Sequence, residues 1–301
     1  MNYELARVIV AIAGTSIAAY QDARTSFIDD KITIAMIALG TLANFATLDS
    51  DFIMYSAGLT AVIFGLGYLF YRSGQLGGGD VLLFCGLQAL LPYYPVSAMA
   101  GVFSFLGVAV PPLPSALSLS IVPFFLSIYV VSSFLAMAAS GFLYAYKLYR
   151  ATGFRRLHPD LFLGGLMLAL SMMLLYWMAF VFSMGLERVF LAVLFLAPSV
   201  FLVFFKKDIS DKVALRWIPL AQMEDEDVID TGKMPRAIVE KYGVGRVLTE
   251  EMKKVLAKIS KQEHYSKFPV QKDLPRFGPY ILSGLLLSLY FADPLSVFLF
   301  Y

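Results

Sequence analysis

Long runs of apolar residues, separated by short polar stretches, occupy most of the chain. A run of about 20 apolar residues is typical of a helix that crosses a lipid bilayer. The fourth run is interrupted at Pro92 and Pro95, which predicts either one kinked span or two short helices. The predicted membrane segments are residues 4–20, 32–48, 52–71, 80–110, 119–146, 161–183, 187–205 and 278–300.

Basic residues in the loops indicate how these segments cross the membrane. The two basic loops contain Lys147, Arg150, Arg155 and Arg156, and Lys206 and Lys207. Such loops remain in the cytoplasm, and both do so only if the fourth segment crosses once. The sequence therefore predicts an all-α polytopic membrane protein with about eight spans and with both termini outside. Two crossings by the fourth segment, giving about nine spans, is the alternative.

The composition excludes an ordinary soluble protein. Hydrophobic residues make up 59% of the 301 residues and charged residues only 15%, whereas soluble domains carry about 25% charged residues. The first apolar run leads into charged residues rather than into a small-residue cleavage site, so we interpret it as a span and not as a signal peptide. A plasma membrane bilayer is thus a predicted partner. The net charge of +2 points to no other partner, and no nucleic acid is expected to bind.

One sizeable polar stretch interrupts the apolar pattern. It predicts a division into a transmembrane domain (1–205), a cytoplasmic subdomain (206–276) and a final transmembrane helix (277–301). Within the polar stretch, residues 249–259 predict an amphipathic helix. Thr249 is a suitable N-cap, and the acidic residues that follow it suit the first turn. We expect the subdomain to serve docking or packing.

The residues that usually bind metals are scarce. The chain has one cysteine, Cys85, and two histidines that lie far apart, His158 and His264. A disulfide within the chain and a multi-thiolate zinc site are therefore excluded, and a histidine-based metal site is not expected. The sequence predicts no metal and no cofactor.

Two aspartates lie at the ends of predicted spans. Asp22 follows the first span, and Asp80 follows three glycines and opens the fourth. The loop charges put both acids at the cytoplasmic face, and acids at such positions are often functional. The alternatives give the two acids no role in chemistry. Asp22 could be a solvated acid paired with Arg24, and Asp80 could serve only as the cap of its helix. The glycines favour more than a cap, because they suit a sharp bend or a close approach of substrate.

Two carboxylates at a partly dry site can share one proton. Repulsion and desolvation keep one acid neutral while the other is ionised. The ionised acid can then activate a water, and the neutral acid can protonate a leaving nitrogen. This chemistry needs neither a covalent nucleophile nor a metal.

Three segments together resemble the type IV prepilin peptidase family. The stretch from Asp22 to Thr33 is similar to the family's first aspartate motif, which ends in a run that opens the next span. Residues 77–80, Gly-Gly-Gly-Asp, match its GxGD motif, and residues 277–280, Phe-Gly-Pro-Tyr, resemble its Phe-Gly/Ala-Pro-aromatic signature. Residues 248–252 are also similar to the cytoplasmic tail of archaeal members. The resemblance covers residues 4–110 and 240–300.

The resemblance implies a membrane aspartyl endopeptidase that removes the short leader from pilin-like or archaellin-like precursors at the cytoplasmic face. By position, Asp22 and Asp80 would be the catalytic pair, and Gly77, Gly78 and Gly79 the GxGD loop. Bacterial bifunctional members carry a tetracysteine zinc domain and methylate the product. This chain lacks those cysteines, which implies the archaeal branch, without N-methyltransferase activity. It also departs from the family at Asp29, where many members have proline.

Asp29 and Asp30 lie in the same predicted loop as Asp22. We expect one or both to attract the basic residues of a leader, although pairing with Arg24 and Lys31 is the alternative.

Other classes of function remain open. A proton- or ion-coupled transporter could use Asp22 and Asp80 as a cation site, but no internal repeat is evident. An inactive scaffold of a secretion machine is a further alternative.

Overall fold

The structure, a computed structural model, describes residues 3–107, 123–154, 157–181, 185–224, 227–263, 265–272 and 275–291. Its described part is mostly helical. The chain divides into two compact units: unit 1 comprises residues 1–133 and 276–301, and unit 2 comprises residues 134–275. The predicted division at 205/206 and 276/277 remains a prediction.

Helices make up most of the described elements, and three short strands lie late in the chain. The helices are α1 (Tyr3–Thr25), α2 (Asp30–Phe45), α3 (Ser50–Arg72), α4 (Gly78–Leu90), α5 (Val96–Leu106), α6 (Phe124–Thr152), α7 (Leu161–Tyr176), α8 (Leu186–Phe204), α9 (Lys206–Ile209), α10 (Arg236–Tyr242), α11 (Glu250–Gln262) and α12 (Gly278–Tyr290). The strands are β1 (Leu215–Ile218), β2 (Val228–Ile229) and β3 (Phe268–Gln271). Short π-helical turns (Trp177–Val181, Ser210–Ala214) and 3₁₀ turns (Leu220–Gln222, Thr231–Lys233) lie between them.

Several of these helices have the length and composition of membrane spans. Among the described residues, α1, α3 and α6 are long and apolar enough to cross a bilayer, and shorter apolar helices accompany them. The chain is therefore a membrane protein, as the sequence predicts, while the number of about eight spans remains a prediction. The fourth predicted segment contains two separate helices, because α4 ends at Leu90 and α5 begins at Val96.

Helix α4 is the most buried of the helices that the structure describes in unit 1. From Gly79 to Leu90, all of its residues except Asp80 and Leu82 are buried. Helices α2 and α3 pack closely on α4, while α1 packs along α12 and also contacts α4. Because GxGD forms the start of α4, this packing fixes the helix that carries Asp80.

A buried arginine, which the sequence analysis did not single out, holds the other end of α4. Arg7 donates from Nε to the carbonyl of Leu90 at 2.7 Å and from Nη2 to that of Ala89 at 3.1 Å. It also donates to the side chain of Asn44. The last carbonyls of a helix lack partners within the helix, and a cation suits the negative end of the helix dipole. Arg7 therefore ties α1 and α2 to the end of α4.

Unit 2 contains a small antiparallel sheet with the strand order β1–β3–β2. Opposite β3, Ile218 pairs with Phe268 and Ile229 pairs with Val270. The all-α prediction is wrong for this segment. The strands contain only four, two and four residues, which is too short for a clear alternation of apolar and polar positions.

Helix α11 confirms the amphipathic helix predicted for residues 249–259. Thr249 caps it, since its hydroxyl accepts a hydrogen bond from the Met252 amide at 3.2 Å. Its apolar face places Leu256 and Ile259 in the core that also contains Phe268 of β3. Sheet and helix thus share one core.

Part of the acidic run after residue 223 has a structural partner. Glu224 and Asp227 lie 3.1 and 2.8 Å from the ammonium of Lys272, which follows β3. Burial acts to lower the pKa of Lys272, but hydrogen bonds to the two carboxylates hold it above its ordinary value. These contacts join the acidic loop to the sheet.

Candidate active site

Asp22 is buried in the last turn of α1, with only 7% of its surface exposed. Its Oδ2 accepts a hydrogen bond from the backbone N–H of Gly278 at 2.8 Å. Gly278 begins α12, where the first N–H groups lack partners within the helix and favour an anion. The solvated Asp22 considered from the sequence is therefore wrong. Arg24, its suggested partner, stacks 5.1 Å from the ring centroid of Tyr20.

The contact with Asp22 favours glycine at position 278. A Cβ atom there would lie 3.0 Å from both Cβ and Oδ2 of Asp22, so the carboxylate would have to shift to make room for it. The neighbouring residues of this motif shape the start of α12: Pro279 lies in its first turn, where proline fits a helix. The Asp22 carboxylate thus packs against the Phe-Gly-Pro segment through Gly278.

Asp80 is half-buried and lies at the third position of α4. The N-cap of this helix is Gly77, so the suggestion that Asp80 caps its helix is wrong. A carboxylate in the first turn suits the positive end of the helix dipole. Like the Asp22 carboxylate, it lies close to a helix N-terminus.

Of the three glycines before Asp80, Gly79 permits a close packing contact. Gly77 has φ of −70°, a conformation open to any residue, so it does not provide the sharp bend that the sequence suggested. The left-handed glycine lies earlier, at Gly74 with φ of 71°, just after α3. At Gly79, a Cβ atom would lie 2.8 Å from Cβ of Ile28. Glycine at 79 therefore allows the α1–α2 loop to approach α4.

Contacts between the three motifs bring them to one end of unit 1. Asp22 meets Gly278, and Ile28 of the first motif meets Gly79 of the second. One turn beyond Asp80, the ring of Phe84 lies 6.1 Å from the ring of Phe277, centroid to centroid. The carboxyl end of α1, which carries Asp22, thus lies close to the amino ends of α12 and of α4, which carries Asp80.

Asp29 and Asp30 begin α2 close to this site. Asp29 is the N-cap, and its Oδ1 accepts from the Lys31 amide at 2.9 Å. The Asp29 amide in turn donates to Oε1 of Gln21 at 3.0 Å, which fastens the loop to α1. Asp30 is exposed at the first position of the helix. Their predicted contact with a leader remains a prediction.

Two contributors to the site were missed from the sequence. Gln21 holds the loop after α1, and Arg276 contacts the last turn of α1 and the residue after it through Ala23 and Ser26. Arg276 directly precedes the Phe-Gly-Pro motif, and this adjacency was the sequence signal that could have identified it.

The described residues contain no group of three or more His, Cys, Asp or Glu side chains that could hold a metal ion.

Comparison with known proteins gives one family match and two similar relatives. The type IV leader peptidase family matches residues 9–113. A relative named prepilin peptidase EppA, from Methanothermobacter thermautotrophicus, is 38% identical over 115 residues, covering 37% of this chain and 29% of the relative. A preflagellin peptidase from Methanococcus maripaludis is 34% identical over 90 residues, covering 29% of this chain and 39% of the relative.

The matched part of the chain thus spans between 29% and 39% of the length of these curated relatives. The residues that match the family, 9–113, include the Asp22 segment, the GxGD motif and helices α2 to α4. The resemblance inferred from the motifs is confirmed for this part of the chain: residues 9–113 match the type IV leader peptidase family.

Proposed function

We propose that this protein is a membrane aspartyl endopeptidase that removes the leader from type IV pilin-like or archaellin-like precursors at the cytoplasmic face. Asp22 and Asp80 are the catalytic pair, and residues 77–79 form the loop that presents Asp80. The observation that carries the proposal is the buried Asp22 carboxylate, held by the Gly278 amide at 2.8 Å, at the end of the bundle where GxGD begins α4. The names of the relatives support the class of substrate.

The proposed chemistry uses a water molecule and two carboxyl groups. The ionised aspartate removes a proton from water, whose oxygen attacks the scissile carbonyl carbon. The protonated aspartate hydrogen-bonds to the carbonyl oxygen and then gives its proton to the leaving nitrogen. A helix N-terminus beside the ionised aspartate favours its negative charge. Neither a metal nor a covalent intermediate is part of this mechanism.

The leader is proposed to lie across the start of α2. A basic leader carries Lys or Arg ahead of the cut, and Asp30 is exposed at the first position of α2. Asp29 also contributes charge, although its carboxylate is engaged as the N-cap. Surface ion pairs are worth up to about 1 kcal/mol each, so their effect on binding is modest.

Charge reversal tests this contact. Asp30→Lys is expected to cleave a basic leader several-fold more slowly than the wild-type enzyme does. When the Lys and Arg residues of the leader are changed to Gln, the variant and the wild-type enzyme should cleave it at nearly the same rate. Asp29→Lys should behave similarly, with an added loss of helix capping. The measurement compares the two leaders at subsaturating concentration. Equal losses with both leaders would contradict an electrostatic role for either acid.

The product is expected to keep an unmodified amino terminus. The chain lacks the tetracysteine segment found in bifunctional bacterial members, since it contains one cysteine. Mass spectrometry of the mature product, with S-adenosylmethionine supplied, checks this expectation. An added methyl group at the new amino terminus would contradict it.

The function itself is tested by co-expression with a leader-bearing pilin or archaellin precursor. Processing is expected as a shift to a smaller product, and sequencing of the product's amino terminus identifies the cut. The rival function, a proton- or ion-coupled transporter, predicts no processing and a cation flux in proteoliposomes. Flux without processing across a panel of precursors would overturn the proposal in favour of the transporter.

A further inference from the structure

Arg276 reaches from the segment before α12 to the end of α1. Its Nε donates to Oγ of Ser26 at 3.1 Å, and its Nη1 donates to the carbonyl of Ala23. Ala23 directly follows Asp22, and Gly278, two residues after Arg276, donates its N–H to the Asp22 carboxylate. One short segment therefore contacts Asp22 and the residues that follow it.

The end of α1 needs such contacts. The last carbonyls of a helix lack partners within the helix, and a cation near them is favourable. Ser26 has φ of 57°, a left-handed conformation that is strained for a residue with a side chain. Its amide donates to the carbonyl of Asp22 at 2.9 Å. A planar guanidinium can bind the Ala23 carbonyl and the Ser26 hydroxyl at once because its donors form a rigid fork.

We propose that Arg276 is a positioning residue for Asp22, holding the last turn of α1 against the start of α12 so that the Asp22 carboxylate keeps its orientation. This inference rests on the proposed function, because it assumes that Asp22 takes part in cleavage. Arg276 acts through Ala23, Ser26 and the backbone leading to Gly278. The guanidinium charge near the Asp22 carboxylate adds to this effect.

Arg24 offers a matched control on the same turn of α1. It carries the same charge and is exposed, but its guanidinium stacks on Tyr20 at 5.1 Å from the ring centroid. Removing it takes a positive charge from the same end of the bundle while leaving the contacts of Arg276 in place. If Arg276→Gln loses activity and Arg24→Gln does not, the loss therefore comes from the hydrogen bonds of Arg276 and not from the change in net charge.

The experiment compares Arg276→Gln, Arg276→Lys and Arg24→Gln in the full chain, purified in detergent, with a cleavable precursor. We expect Arg276→Gln to lower kcat about 10- to 100-fold, since small misplacement of a catalytic group has effects of that size. KM should change little, because Arg276 is not assigned a substrate contact. Arg276→Lys should recover part of kcat, and Arg24→Gln should stay within a few-fold of wild type.

The outcomes separate this inference from the proposed function. A loss confined to KM, or an equal loss in Arg24→Gln, would overturn the positioning role. Unchanged melting temperatures in the same detergent identify the effect as local. If Arg276→Gln lowers the melting temperature, kcat per folded molecule is measured at a lower temperature. A wild-type chain that cleaves no precursor refutes the proposed function instead.

Discussion

Changing Asp22 or Asp80 to asparagine is expected to lower the cleavage rate by at least about 1,000-fold. Asparagine keeps nearly the shape of aspartate, and its carbonyl oxygen can still accept the Gly278 hydrogen bond that Asp22 accepts at 2.8 Å. It cannot ionise or carry an exchangeable acidic proton, so neither water activation nor protonation of the leaving nitrogen is possible. The measurement is the initial rate of leader removal by each purified variant.

Asp49→Asn is the matched control for this loss. Asp49 caps α3, accepting from the Asp51 and Phe52 amides at 3.0 and 3.1 Å, and asparagine is about as good a cap. Helix α3 runs from this cap towards the loop that leads to Gly77, so the control lies a helix length from the site. Asp49→Asn should cleave at the wild-type rate. If either site variant retains more than about a tenth of the wild-type rate, the aspartate pair does not carry out the proposed acid–base chemistry.

The local motifs identified the residues of the candidate site, but they did not predict the contacts between those residues. The Asp22 segment, GxGD and Phe-Gly-Pro were each evident from adjacent residues. Their contacts depend on how helices pack, as in the hydrogen bond from Gly278 to Asp22 across 256 positions of sequence. One sequence gives no direct measure of such pairing. The contacts of Arg276 could not be predicted for the same reason, because its partners belong to α1 and the loop that follows it.

The apolar pattern predicted most of the helices in unit 1, but it did not indicate the buried arginine or the small sheet. Breaks at Pro92 and Pro95 marked the gap between α4 and α5, since proline disrupts a helix. The buried Arg7 was overlooked because only acids at span ends were considered, although an arginine within an apolar run is itself an unusual feature. The sheet in unit 2 was missed because its longest strands have four residues. Short strands form through their partners rather than through a local pattern.

Gly40→Ala is expected to lower the free energy of unfolding by about 1–3 kcal/mol or more. In α2, Gly40 lies against the last turn of α4. A Cβ atom there would lie 2.5 Å from the carbonyl carbon of Ala89 and 2.6 Å from the amide nitrogen of Leu90. Backbone atoms cannot turn aside as a side chain can, so the two helices must separate. Small residues permit this kind of close helix contact in membranes.

Gly65→Ala provides the control, because the added Cβ atom would have nothing within 4 Å. Alanine favours a helix over glycine by about 0.8–1 kcal/mol in soluble hosts, so this variant should be neutral or slightly stabilised. Thermal unfolding of both variants in one detergent measures the difference. Equal melting temperatures would mean that α2 and α4 are not in such close contact. A selective loss in Gly40→Ala supports the contact, and cleavage should then fall as well, since α4 carries Asp80 in its first turn.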